Sequence, residues 1–292
     1  MIGEGDTVRQ LLVNADDFGI SEGVSRGILY CYQKGIVRSA SLMANFPSFE
    51  TAVLLARQNP GLKIGVHLNA TSGVPLLSPK TIPSLVSSQG MFYALHPLIS
   101  RMVLGKLEMP ELEQEWAAQI ERVLGAGLQP THLDTHQHVH GFPVIRKLVT
   151  HLAKRFSIPR TRQMTNLLRR GLYLRSQMLW DRHTYSGCLK TLLLSMLSPF
   201  GSHEKRKRHL LGVGYVPQGQ YQSALLHYFK HLPESDSELV CHPGFVDAEL
   251  SRWDQWTHMR EEELKVLSSS QTWDALQHYG VHLDDTSSSF HS

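Results

Sequence analysis

Short apolar runs alternate with longer amphipathic stretches over most of the chain. Gln10–Ala15 (QLLVNA) is an apolar run of strand type that ends in Asp16-Asp17-Phe18-Gly19. Ser21–Lys34 follows as a predicted helix, capped by Ser21 and stopped by Gly35. Arg38–Met43 predicts a second strand, Ser48–Gln58 a helix ending before Pro60-Gly61, and Leu62–Val66 a third strand. Residues 70–105 are rich in Gly, Pro and Ser and read as loop. Pro110–Leu124 predicts a helix with proline at its start and Gly125 just beyond. Thr131–His140 reads as strand, Pro143–Arg155 as helix and Ser157–Met164 as strand. Further strands are expected near Gly212–Val216 and at Ser237–Cys241, with helices at Tyr221–His231, Met259–Leu267 and Thr272–His278. Alternation of this kind predicts a parallel α/β sheet or barrel.

Four of the predicted strands end in a polar cluster: Asp16-Asp17, His67, Asp134 with His136, and His242. In a parallel barrel the strand C-termini share one mouth, so clusters scattered over the sequence meet there. Asp and His are suitable ligands for a divalent cation with open positions for water and substrate. Such a cation polarises a carbonyl and acidifies water, while a nearby carboxylate and histidine can serve as base and acid. Asp16 and Asp17 are adjacent and would point to opposite faces of a regular strand. Both reach one site only if the strand ends there and the backbone turns, which Gly19 permits.

The run Thr131–His140 (THLDTHQHVH) places His132, Asp134, His136, His138 and His140 at alternate positions. On a strand all five share one face, but the nine positions span roughly 26 Å, against a zinc–imidazole bond of about 2.0 Å. One or two neighbours can share an ion, with His136 and then His138 nearest the strand's end. His132 and His140 read as structural. By parity Asp134 can orient a ligating histidine or bind substrate, and Asn14, two before Asp16, can hold substrate or backbone. Singly, each motif has a plainer reading: a helix cap or turn for Asp16-Asp17, a hydrogen-bonded core histidine for His67, a turn for His242-Pro243-Gly244. Only their order and common place in the fold argue for a site.

Composition narrows the class. The 292 residues are 41% hydrophobic and 19% charged, with a net charge of +3, so a soluble protein is expected and no nucleic-acid partner is implied. The basic run His203–His209 reads as a solvated face. Three cysteines, widely spaced, write no disulfide framework, and neither a signal peptide nor a transmembrane segment is recognised. A cytoplasmic location is therefore expected.

VNADDFG (Val13–Gly19), GVHLN (Gly65–Asn69), THLDTHQHVH and CHPGF (Cys241–Phe245), in that order, resemble the YdjC family of carbohydrate deacetylases. Chitooligosaccharide deacetylase and the hopanoid-associated HpnK proteins belong to that family. The resemblance implies a (β/α) barrel, TIM-like and irregular with seven or eight strands, forming one domain over 1–292 with a flexible tail at 283–292. It implies one divalent metal ion (Zn or Mg, with Mn as a further option) held by Asp17, His67 and His136. The substrate implied is an N-acetylated amino sugar, oligosaccharide or glycolipid headgroup. Asp16 matches the base that deprotonates water and His242 the acid that protonates the departing amine. Arg162 would steady the base, as basic residues do in related sites. A metal-dependent phosphoesterase and a non-catalytic sugar- or metal-binding protein on the same barrel stay open as alternatives, and a homodimer is compatible with the chain.

Overall fold

The computed structural model describes residues 9–164, 208–212, 216–254 and 257–284. Among these residues seven parallel strands form one sheet: β1 (Arg9–Phe18), β2 (Ser39–Leu42), β3 (Lys63–Leu68), β4 (Leu133–Thr135), β5 (His209–Leu211), β6 (Ser237–Cys241) and β7 (Val281–Leu283). Six run in the order β4-β3-β2-β1-β6-β5, and β7 pairs with the start of β1. Beyond β4 a single bridge, Leu133 to Thr161, is all that the expected strand Ser157–Met164 forms. Among the described residues the strands make a curved half-barrel and not the closed TIM-like barrel expected: no ladder joins Thr161 to β5. The strand expected at Gly212–Val216 lies earlier, at His209–Leu211, and residues 213–215 are outside the described residues. So are residues 203–207 of the basic run and 285–292 of the expected tail; Leu283, at the tail's expected start, belongs to β7.

The helices lie where the amphipathic stretches are: α1 (Glu22–Lys34), α2 (Phe49–Gln58), α3 (Leu95–Val103), α4 (Met109–Gly125), α5 (Pro143–Arg155), α6 (Tyr221–Lys230), α7 (Leu250–Trp253), α8 (His258–Leu267) and α9 (Ser270–His278). The Ser21 hydroxyl accepts from the Val24 amide and so caps α1. Helix α3 interrupts the loop expected over 70–105. Its own sequence has a weak start signal, Ala94 making no side-chain cap.

Two helices have tasks that position the site. Helix α4 turns polar side chains toward the sheet and ties down the chain leaving β3. Gln119 donates to the Asn69 carbonyl and accepts from its amide, Trp116 donates to the same carbonyl, and Glu115 accepts from the Leu76 and Leu77 amides. Glu115, Trp116 and Gln119 are fully buried, so these bonds replace the water that the loop's peptide groups would otherwise need. Helix α1 supports β6: a Cβ at Gly27 would stand 2.6 Å from the Gly244 Cα, so glycine there lets the His242–Gly244 turn lie directly on the helix.

A candidate metal centre at the strand ends

Parallel register brings the polar clusters to one level. Ala15 pairs with Cys241, Leu42 with Val66 and Phe18, and His67 with Asp134. Asp16, Asp17, His67, Asp134, His136 and His242 thereby converge at the C-terminal edge of the sheet.

Adjacent aspartates serve one side of that edge through a bulge. Between Ala15 and Phe18 the register against β2 shifts, leaving one extra residue on β1. Asp17 takes up that extra residue with φ of +67°, a left-handed conformation that aspartate tolerates better than most. The strand therefore does not end at Asp16, as its sequence suggests, although the chain does turn at Gly19, where φ is +91°. The strand continues to Phe18, and the bulge rotates Asp17 to the side that Asp16 already faces. Both carboxylates then approach His67 Nε2, Asp16 Oδ2 at 4.0 Å and Asp17 Oδ1 at 3.5 Å.

The histidine-rich run is only briefly a strand. β4 stops at Thr135, and His136–Gly141 forms a 3-10 turn in which Gln137 and His138 have φ of +55° and +58°. The alternate-position argument thus fails beyond His136, because left-handed residues rotate the later side chains off the strand face. His136 directs Nδ1 to Asp17 Oδ1 at 3.1 Å. His138 is buried and lies edge-on to His140, ring centroids 6.0 Å apart. His140 Nδ1 is bonded to the Thr135 hydroxyl at 2.6 Å. His132 lies over Gly65, where a Cβ would stand 2.3 Å from the imidazole, and its nitrogens face the Ser41 and Thr131 hydroxyls. Glycine at 65 is required by this close packing.

Asp17, His67 and His136 offer three ligand atoms within 4.8 Å of one another. The chemistry of the donor set fits a cation. Asp17 Oδ1 is buried and accepts no aligned hydrogen bond among the described residues, yet two ring nitrogens lie within 3.5 Å of it. His67 is presented through Nε2 because its Nδ1 is bonded to Asp134 at 2.7 Å. A second grouping, Asp16, His67 and Asp134, also has carboxylates within reach of one another. There, however, a guanidinium already fills the space. Arg162 donates to both oxygens of Asp16 at 2.7 Å, pairs with Asp134 Oδ2 at 2.7 Å, and donates from Nε to Glu238 at 2.8 Å. Asn14 adds a bond to Asp16 Oδ1 and another to Ser41, which donates to Asp134.

These pairings set the protonation states. Burial opposes the charge of Asp17, but Arg260 and His136 hold it well below the usual carboxylate range. Burial likewise opposes the charge of Asp134, outweighed by Arg162 and His67. For His67 burial favours the neutral ring, but Asp134 and Asp16 lift its pKa to about 10. His132 and His140 are pushed down to about 3, first by burial and then by Arg160 and Arg162 respectively. Each remains a neutral, structural group at ordinary pH.

His242 follows directly on Cys241. Its amide donates to Glu263 of α8 at 2.6 Å, and its side chain is half-buried. Three further residues went unnoticed in the sequence. Glu238, three residues before the end of β6, is fully buried and its pKa falls to about 2 because Arg162 and Arg160 overcome the cost of burial. Ser41 links Asn14 to Asp134. Arg260, on α8, donates to Asp17 Oδ2 at 2.6 Å. Only strand parity could have flagged Glu238 and Ser41; nothing local to α8 marks Arg260.

The profile of the family described as YdjC-like protein matches residues 10–278. A carbohydrate deacetylase of Geobacillus stearothermophilus is 33% identical over 260 residues, covering 89% of each chain. One from Vibrio cholerae is 29% identical over 280 residues, covering 95% of each. Among solved structures, an Enterococcus faecalis V583 protein named for cellobiose-phosphate cleavage superposes with a TM-score of 0.73 at 26% identity, covering 94% of this chain and 97% of its own.

Proposed function

This chain belongs to the YdjC-like family, and from that premise and the geometry of the strand ends we propose that it is a metal-dependent carbohydrate deacetylase, removing the acetyl group from an N-acetylated amino sugar, oligosaccharide or glycolipid headgroup. The observation that carries the reading is the convergence of Asp17 Oδ1, His67 Nε2 and His136 Nδ1 beside a second carboxylate, Asp16, clamped by Arg162. The relatives named carbohydrate deacetylase support the substrate class.

Asp17, His67 and His136 would hold one divalent ion; two imidazoles and a carboxylate suit zinc, with magnesium or manganese as alternatives. Charge favours such an ion. The ion-paired network of described residues around the site contains five carboxylates (Asp16, Asp17, Asp134, Glu238, Asp254) against three guanidiniums (Arg160, Arg162, Arg260). Once His67 gives up the proton that these acids otherwise hold on it, two negative charges are left for a divalent cation to balance. When bound, the ion supplies polarisation of the amide carbonyl and a lowered pKa for water.

Asp16 takes the proton from the attacking water. Arg162 and Asn14 fix its carboxylate in place, and Arg162 lies between it and Asp134. Asp134 keeps His67 presented through Nε2. His242, on the turn after β6, gives a proton to the amine as the C–N bond breaks. His138 is assigned to the supporting wall of the site through its packing on His140. The two-ion arrangement of many phosphoesterases is disfavoured, because Arg162 occupies the position between Asp16 and Asp134.

Acetate release from a panel of N-acetylated sugars, before and after chelation and metal restoration, tests the reading. Activity that is lost with chelator, restored by about one ion per chain and abolished in Asp17→Ala is expected. Full activity in chelator, or in Asp17→Ala, overturns it.

A further inference from the structure

The two oxygens of Asp17 have different surroundings. Oδ1 faces His67 and His136, whereas Oδ2 accepts from Arg260 NH2 at 2.6 Å. The same NH2 group donates to Asp254 Oδ2 at 2.6 Å, so one nitrogen bridges two carboxylates. Arg260 is 2% exposed, and its Nε and NH1 have no hydrogen-bond partner among the described residues. Burying a guanidinium with two donors unused is costly. A side chain kept only to pair charge would gain more from a two-pronged grip on one carboxylate. The one nitrogen in use is the one that touches the side of Asp17 turned away from the histidines.

We propose that Arg260, braced by Asp254, is a positioning residue that removes Oδ2 of Asp17 from the metal's reach and leaves Oδ1 as the single ligating oxygen. A free aspartate can chelate one ion through both oxygens; here the second lone-pair set is committed to an N–H. One coordination position is thereby kept for water or the substrate carbonyl, as catalytic metal sites need. Helix α8 is suited to this role because it also holds the opposite side of the site. Glu263, one turn after Arg260, accepts from the His242 amide, and the Arg260 carbonyl accepts from the Gly244 amide. A single helix therefore fixes both the metal-ligating carboxylate and the turn that carries His242.

This inference rests on the metal centre proposed above, and its test uses no sugar. Metal-free protein is titrated with Co²⁺, whose visible absorption reports coordination number, and with Zn²⁺ for affinity. Arg260→Met should shift the Zn²⁺ dissociation constant by ~10- to 100-fold, the range for altered supporting contacts to a ligand. It should also shift the Co²⁺ spectrum toward the weaker bands of a higher coordination number, as Asp17 becomes two-pronged. Arg260→Lys, which keeps one donor and the charge, should restore the spectrum in part. If Arg260→Met does not fold, Asp254→Asn decides, since it loosens the brace at a partly exposed position; the same spectral shift in smaller amplitude is expected. Wild-type spectrum and affinity in the folded variants overturn the clamp. A wild-type protein that takes up no Co²⁺ instead overturns the metal centre. One that shows the clamp but fails the separate acetate-release test described above overturns only the deacetylase assignment.

Discussion

His67 and His132 flank the same carboxylate and meet opposite fields. Asp134 bonds His67 through Oδ1 at 2.7 Å, and its Oδ2 lies 3.9 Å from His132. Both rings are buried. Yet the pKa of His67 rises to about 10 while that of His132 falls to about 3. On the His67 side the next neighbours are Asp16 and Asp17; on the His132 side they are Arg160 and Arg162. Residue type and burial are shared, so the arrangement of surrounding charge decides which histidine can serve a cation and which is a structural group. Burial alone favours the neutral ring in each case. Only where carboxylates face it does the site attract positive charge, whether a proton or a metal.

The largest expected effect separates ligand from structural histidine within one short segment. His136→Ala should lose the bound ion and acetate release together, whereas His140→Asn, four residues on, should keep both. Metal analysis of purified protein and acetate release read the pair. Loss of the ion in His140→Asn would erase the distinction drawn here.

Second comes the cation that divides the two fields. Arg162→Met strands Asp16, Asp134 and Glu238 in a dry interior, and breaking a buried pair by removing one partner costs about 3–5 kcal/mol. Urea unfolding should show a midpoint lowered accordingly. A loss below about 1 kcal/mol would mean that these acids are not held in place by Arg162.

A smaller effect is expected at the shared carboxylate. Asp134→Asn removes the charge that holds His67 with Nε2 forward and should weaken Zn²⁺ binding by ~10- to 100-fold. Unchanged affinity would show that His67 is oriented by packing alone.

The split between the two fields also marks what was legible in the sequence. Most of the order of strands and helices is readable because buried strands are short apolar runs and the longer helices are amphipathic stretches bounded by Ser, Pro or Gly; α3, with no such start, is not. The clusters Asp16-Asp17, His67, Asp134 with His136, and His242 are legible because polar residues at strand ends are conspicuous against apolar strands; which of them would hold an ion is implied only by the family resemblance. What stayed hidden depends on backbone conformation or on long-range contact. The bulge that turns Asp17 inward is one extra residue in a register that no local signal records. The left-handed residues Gln137 and His138 end the strand inside a run whose alternation looks continuous. The open sheet was missed because closure depends on pairing between segments far apart in sequence. Arg260 lies 243 residues from Asp17, on a helix whose pattern reads only as amphipathic.

The smallest effect tests the neutral side of the comparison by proton counting. His140 has a folded pKa of about 3, below the ordinary value for an unfolded chain. A group depressed on folding contributes its full stability above its unfolded pKa and loses it as pH falls through the window toward the folded value. Between about pH 6.5 and pH 3 the unfolded chain therefore binds a proton at this site that the native chain does not, a slope of about 1.4 kcal/mol per pH unit. Asn at 140 can place an oxygen near the Nδ1 position, where the Thr135 hydroxyl already bonds, and cannot be protonated. Urea unfolding at intervals from pH 7 to pH 4.5 should give His140→Asn a shallower loss of stability than wild type, by about one proton. The carboxylates titrate in both proteins and cancel in the difference. Parallel stability curves would place the His140 ring in water or beside an acid, and the contrast with His67 would then rest on His132 alone.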